Sequence, residues 1–168
     1  MFGRPEAKGS PYSQAQALER LAAMELEARA FYEGLFEGAV SEPVRNLAAM
    51  MIRAETRHHK RFLAYAERAR RKESDADSDS ARPMPADLAR TMGVKLWPAK
   101  ETIRKSAKLS RDLDFIRFAI RAEAQTAVLM TQVRMYLPPE RRGYVSRVIE
   151  EEWNHKRKLE EHLQQHFL

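Results

Sequence analysis

Six ionisable residues sit where this chain should bury apolar side chains, and that placement limits its fold more than any other feature. Apolar residues recur at helical spacing in four stretches. From 14 to 38 they are Leu18, Leu21, Ala22, Ala28, Tyr32, Leu35 and Phe36, and from 43 to 71 they are Val44, Leu47, Ala48, Met51, Phe62, Tyr65 and Ala66. From 110 to 137 the inward set is Ile116, Ala119, Ile120, Ala127, Met130 and Val133; from 140 to 165 it is Val145, Val148, Leu159 and Leu163. At about 100° per residue, Glu25 falls inside the first stripe, Glu55 and His58 inside the second, Glu123 inside the third, and Glu152 and His155 inside the fourth. A buried carboxylate without a partner is strongly unfavourable. Four of them demand compensation, which two divalent cations would supply.

The stretches between these helices set the expected architecture. Gly38 suits a helix stop, and Ser41 with Pro43 suits the next start. Pro138-Pro139 ends the third helix, and Gly143 lies in the first turn of the fourth. The connection between the second and third helices, about 72–109, is long. The stretch leading into it, RARRKESDADSDSARP (68–83), is charged and aperiodic and reads as a mobile loop; the remainder, from 84, has room for one or two short helices around Trp97-Pro98. Short, long and short connections predict an all-α fold, a four-helix bundle with one long crossover between helices two and three. Residues 1–13 read as a flexible arm, and 14–168 as one domain. No period-two strand pattern is present.

Composition narrows the chemistry. The chain has no Cys, which removes thiolate metal sites and cysteine nucleophiles, so a metal must be held by His and carboxylate. No apolar run reaches the roughly 18 residues of a membrane span, and the first residues have no signal-peptide core, so the expected compartment is the cytoplasm. A formal charge of +6 permits contact with nucleic acid, but no interleaved aromatics or groove-reading element accompanies it, and no specific nucleic-acid partner is expected. The basic residues Arg68, Arg70, Arg71 and Lys72 suit a solvated helix C-terminus.

Glu-x-x-His places an oxygen and an imidazole on one side of a helix, suited to a single metal. Glu55-Thr-Arg-His58 and Glu152-Trp-Asn-His155 both have this form. In a chain with five His and many Glu the motif alone is weak. Its order is more informative. Glu25 precedes Glu55 by 30 residues and Glu123 precedes Glu152 by 29, so each helical hairpin repeats Glu…Glu-x-x-His. Glu25 and Glu123 would be terminal ligands, Glu55 and Glu152 bridges, with His58 and His155, neutral at pH 7, as nitrogen donors. The competing account is buried ion pairs with Arg, which leaves the repeated order unexplained.

This six-residue pattern resembles the di-iron site of the ferritin-like superfamily. The segment Glu25-Leu-Glu-Ala-Arg-Ala-Phe-Tyr32 is similar to the first helix of rubrerythrins, where a ligand Glu is followed by Ala-Arg and then Tyr. The resemblance covers roughly 14–70 and 110–166. It implies a non-haem di-iron oxidoreductase that reduces peroxide or dioxygen with oxidation of Fe(II), holding two iron ions, with manganese or mixed metals as alternatives. Glu55, Glu152 and Tyr32 are then the expected catalytic residues, and a homo-oligomer, a dimer first, is expected. Two departures stand out. Thr126 occupies the place of a further rubrerythrin Glu, and no Cys-x-x-Cys domain is present, so an external protein must donate electrons.

Other residues leave alternatives open. Tyr32 is core packing, a hydrogen-bond donor to a ligand carboxylate, or a redox group. His59 lies about 100° from His58 and reads as an exposed neighbour. His162 reads as a surface residue, or else part of a third metal site; Met130 reads as core. A di-iron hydroxylase of a quinone or other organic substrate is the alternative enzyme, using the basic 84–109 segment as a membrane-contacting surface. A non-catalytic metal-binding bundle is the alternative outside enzymes.

Overall fold

The first two helices start where side chains satisfy the first free backbone N–H groups. Ser13 Oγ accepts from Gln16 N at 3.2 Å while Ser13 N donates to Gln16 Oε1 at 2.7 Å, a reciprocal cap that opens α1 (Gln14–Gly38). Ser41 Oγ accepts from Val44 N at 3.3 Å and opens α2 (Glu42–Asp75). Two short helices follow, α3 (Ala86–Met92) and α4 (Lys100–Ala107), then α5 (Asp112–Tyr136) and α6 (Pro139–Phe167). Pro139 is the first residue of α6, where its missing N–H has no consequence. The computed structural model describes residues 12–75, 84–108 and 112–167, and among these there is no strand. The protein is all-α. No helix among the described residues is long and apolar enough to cross a membrane.

Three local expectations change. The charged stretch after Arg68 continues α2 through Asp75, since nothing up to Asp75 breaks a helix and Arg71 pairs with Glu67 one turn back at 2.5 Å. The rest of the expected loop, 76–83, lies outside the described residues, as do residues 1–11 of the expected arm. Tyr12, at the arm's end, packs on the core and accepts from Tyr136 Oη at 3.4 Å. Phe36 is 43% exposed, because Leu35 takes the buried side of the same turn.

The core has two apolar clusters. One contains Leu18, Leu21, Met24, Phe62, Met130, Val133 and Val148; the other contains Phe31, Tyr32, Leu35, Val44, Met51, Ile116, Ala119 and Leu159. Along α1 and α6 the chain meets the first cluster and then the second; along α2 and α5 the order reverses. Thus α1 and α2 are antiparallel, α5 and α6 are antiparallel, and α2 runs with α5. The 84–108 segment makes the return trip. Met84 and Met92 enter the first cluster, while Trp97, Ile103 and Ala107 enter the second. Arg20 on α1 clamps its middle, donating to Met92 O at 2.5 Å and Val94 O at 3.2 Å.

Gly38 does more than end α1. With Gly34 it forms a bare strip on which α4 rests. A Cβ on Gly38 would meet Arg104 O at 2.7 Å and Ala107 Cβ at 2.8 Å, and one on Gly34 would meet Lys100 O and, at 3.0 Å, Ile103 Cβ. Neither a backbone carbonyl nor a β-carbon can rotate aside. Gly34→Ala or Gly38→Ala should therefore destabilise by about 1–3 kcal/mol in urea unfolding, against the ordinary helical advantage of Ala. Gly143→Ala, with nothing within 4 Å of its new methyl, should be neutral or stabilising. Equal effects at all three positions would show that α4 yields freely.

Candidate metal centre

All six ionisable residues singled out by their periodicity lie between the two apolar clusters. Glu55, His58 and Glu123 have no exposure, Glu25 and Glu152 are 1% exposed, and His155 is 6% exposed. Ligand atoms of Glu55, His58, Glu152 and His155 all lie within 4.8 Å of one another, and this is the one group among the described residues placed to hold a metal ion.

The distances divide the cluster into two halves. His58 Nδ1 lies 2.6 Å from Glu152 Oε1, 3.3 Å from Glu25 Oε2 and 3.4 Å from Glu55 Oε2. His155 Nδ1 lies 3.1 Å from Glu55 Oε1, 3.6 Å from Glu152 Oε2 and 3.8 Å from Glu123 Oε2. Glu55 and Glu152 therefore each turn one oxygen to each imidazole, while Glu25 approaches only His58 and Glu123 only His155.

Several of these atoms have no aligned hydrogen-bond partner: both Glu55 oxygens, Glu25 Oε1, Glu123 Oε2, Glu152 Oε1 and His155 Nδ1. Buried lone pairs converging without donors are unfavourable on their own, and a cation satisfies them together. The donor set, carboxylate oxygens with two imidazoles, suits iron, manganese or zinc.

Protons balance the same charges. Burial, then Glu152, pushes the Glu25 carboxyl well above its usual range; burial, Glu152 and Glu55 do the same to Glu123. Burial opposes a charged imidazole, yet Glu152, Glu25 and Glu55 raise His58 far above its ordinary value. His155 is likewise raised against burial to about 12, by Glu123, Glu152 and Glu55. Burial works against both Glu55 and Glu152, and Glu152 also works against Glu55, but contacts from the two imidazoles hold both below the usual range. The surrounding carboxyl groups thus favour a proton on each histidine, and a bound cation would take that proton's place and leave the imidazoles neutral, as the sequence reading has them. Four surrounding carboxyl groups outweigh desolvation. Two divalent cations with four carboxylates and two neutral imidazoles would sum to zero charge.

Tyr32 is fully buried, and its Oη donates to Glu123 Oε1. Burial, then Glu123, pushes its pKa up, so it stays a phenol. Its ring packs edge-on to Phe31 at 5.1 Å and against Trp97 at 5.7 Å. Core packing and a hydrogen bond to the cluster are both realised. Met130 is core.

Of the neighbouring residues, His59 alone departs from its sequence reading. His59 is half-buried and donates from Nδ1 to Ala22 O at 2.8 Å, tying α2 to α1. His162 lies beside His166, ring centroids 4.4 Å apart, and joins no group of metal-binding geometry among the described residues. Thr126 is 2% exposed, with its hydroxyl unpartnered. Glu151 and Arg61 escaped notice altogether. Glu151 Oε2 accepts from His58 Nε2 at 2.8 Å, and its Oε1 accepts from Arg61 at 2.6 Å. Aligning the two halves would have flagged Glu151, because the residue before Glu55 is Ala54 whereas the residue before Glu152 is acidic.

No protein-family model, curated protein or solved structure matches the chain.

Proposed function

We propose that this protein is a ferritin-like four-helix bundle, with α3 and α4 in its one long crossover, and that it works as a non-haem di-iron oxidoreductase of rubrerythrin-like kind. The observation that carries this is the split carboxylate geometry: Glu55 and Glu152 each offer one oxygen to the His58 half and one to the His155 half. Parallel α2 and α5, joined by a segment that returns along the bundle, support the topology.

Glu25 and His58 would hold one ion, Glu123 and His155 the other, with Glu55 and Glu152 shared between them. Two Fe(II) ions there would supply the electron pair that peroxide needs for reduction to water, or begin the reduction of dioxygen. The chain's own residues prepare the site. The apolar clusters on either side exclude bulk water, and Tyr32 Oη orients Glu123 and keeps a proton within reach of its oxygen. With no cysteine in the chain, electrons return from an external donor protein. Manganese would fit the same donors, and a dimer in the cytoplasm is the setting we infer.

The quinone-hydroxylase alternative would use the basic 84–109 segment as a membrane-contacting surface. Met84, Met92, Trp97 and Ile103 of that segment are buried, which leaves chiefly its charged and polar side chains, with Val94, to meet such a surface.

The test is metal analysis of purified protein followed by stopped-flow oxidation of the Fe(II) form. Two irons per chain and rapid oxidation by peroxide or dioxygen are expected. A fully loaded but inert protein would leave a metal-binding bundle, and failure to bind metal would remove the centre.

A further inference from the structure

We propose that the two halves of the centre differ in affinity, and that Glu151 with Arg61 makes the Glu25–His58 half bind its metal first and more tightly. This rests on the two-metal centre proposed above.

The two hairpins repeat the same six-residue plan but differ in the positions beside it. The residue preceding the shared Glu is Ala54 in one hairpin and Glu151 in the other; the residue three after the His is Arg61 in one and Lys158 in the other. These two departures meet across the bundle. Glu151 on α6 reaches His58 on α2, accepting its Nε2–H at 2.8 Å, and Arg61 grips the second oxygen of Glu151 at 2.6 Å. The carboxylate holds one hydrogen of His58 on Nε2. Nε2 donates outward, and the Nδ1 lone pair that a metal frees by displacing the other proton faces Glu25, Glu55 and Glu152.

His155 has no such support. The place corresponding to Glu151 is the buried methyl of Ala54, and among the described residues no acceptor hydrogen-bonds His155 Nε2. The His155 ring lacks that anchor on its outer nitrogen. It must be ordered when a metal binds, whereas His58 is already aimed. A carboxylate on the outer nitrogen also makes an imidazole a stronger donor, and losing such a partner weakens metal binding by about 10–100-fold. Glu151 and Arg61 are 33% and 39% exposed, so replacing either leaves the apolar clusters intact.

Glu151 is thus a positioning residue acting through His58. The experiment is anaerobic titration of the metal-freed full chain with Fe(II) by calorimetry, and with Mn(II) followed by electron paramagnetic resonance. Wild type should bind in two resolved steps, and at one equivalent of Mn(II) should show an isolated ion without a spin-coupled pair. Glu151→Ala should weaken the first step about 10–100-fold and leave the second near its original value, so that the steps merge and coupled pairs form at one equivalent. Glu151→Gln, which keeps an acceptor but loses the charge, should fall between. Arg61→Ala should shift the same step in the same direction, and it tests the proposal alone should the Glu151 variants not fold. Glu150→Ala, an exposed neighbour, should change nothing. Two equal steps in wild type, or equal weakening of both steps in the variants, would overturn the ordering while leaving the two-metal centre standing. No uptake of either metal by wild type would overturn the centre itself.

Discussion

On the proposed two-metal centre, Glu55→Ala should lose both metal ions, not one, and with them the oxidation of Fe(II) by peroxide. Glu55 turns Oε2 towards His58 at 3.4 Å and Oε1 towards His155 at 3.1 Å, so its removal takes a donor from each half at once. Glu152 is left to serve both halves alone, and the charge available to two dications falls by one. Glu55→Gln keeps the volume and one good oxygen, and should retain one ion weakly without the coupled pair. His59→Ala is the control. It removes one hydrogen bond to Ala22 O, worth about 1 kcal/mol, and should leave metal content and rate close to wild type. Metal analysis with stopped-flow oxidation reads all three. Full activity in Glu55→Ala would end the bridged-centre proposal.

Stripping the metal should lower the melting temperature substantially, and the effect should grow with pH. A ligand that binds only the folded chain stabilises it by about 2.7 kcal/mol at a hundredfold excess over Kd. Two such sites in a chain of this length would raise the melting temperature on the order of 10 °C. The sign of the pH effect follows from the protons that metal displaces. His58 and His155 hold theirs above the ordinary histidine value, and Glu25 and Glu123 hold theirs above the carboxylate range. Each proton released on binding makes the affinity about tenfold tighter per pH unit. The metal-induced rise at pH 8 should therefore exceed that at pH 6. Calorimetric melting of chelated and reloaded protein at both values measures it. An unchanged transition after verified metal removal would count against a central site.

The long helices and the six buried ionisable residues were legible in the sequence, since helical periodicity is a local property. Which face of α1 is buried depends on its own apolar spacing, and Glu25 stands inside that face whatever packs against it. Gly38 was legible only in part. Its likeness to a stop signal is local, but its use as a seat for α4 depends on a helix more than 60 residues later in the chain.

Charge and pairing across the interior depended on the tertiary structure. The proton affinity of His58 and His155 depends on carboxylates from other helices as well as on the Glu one turn back, and no single-helix pattern reports the former. Glu151 illustrates the same limit. In the sequence Glu150, Glu151 and Glu152 are three equal acids, of which periodicity selects only the last for the interior. Folding leaves Glu150 in solvent and brings Glu151 against a histidine 93 positions earlier. The sequence alone determined which faces would be buried and that carboxylates and imidazoles would lie within them, because a helix repeats every 3.6 residues wherever it sits. Only the packing of the helices decided which oxygen meets which nitrogen, and which of the two histidines has a partner outside the cluster, because those contacts join residues that no local rule relates.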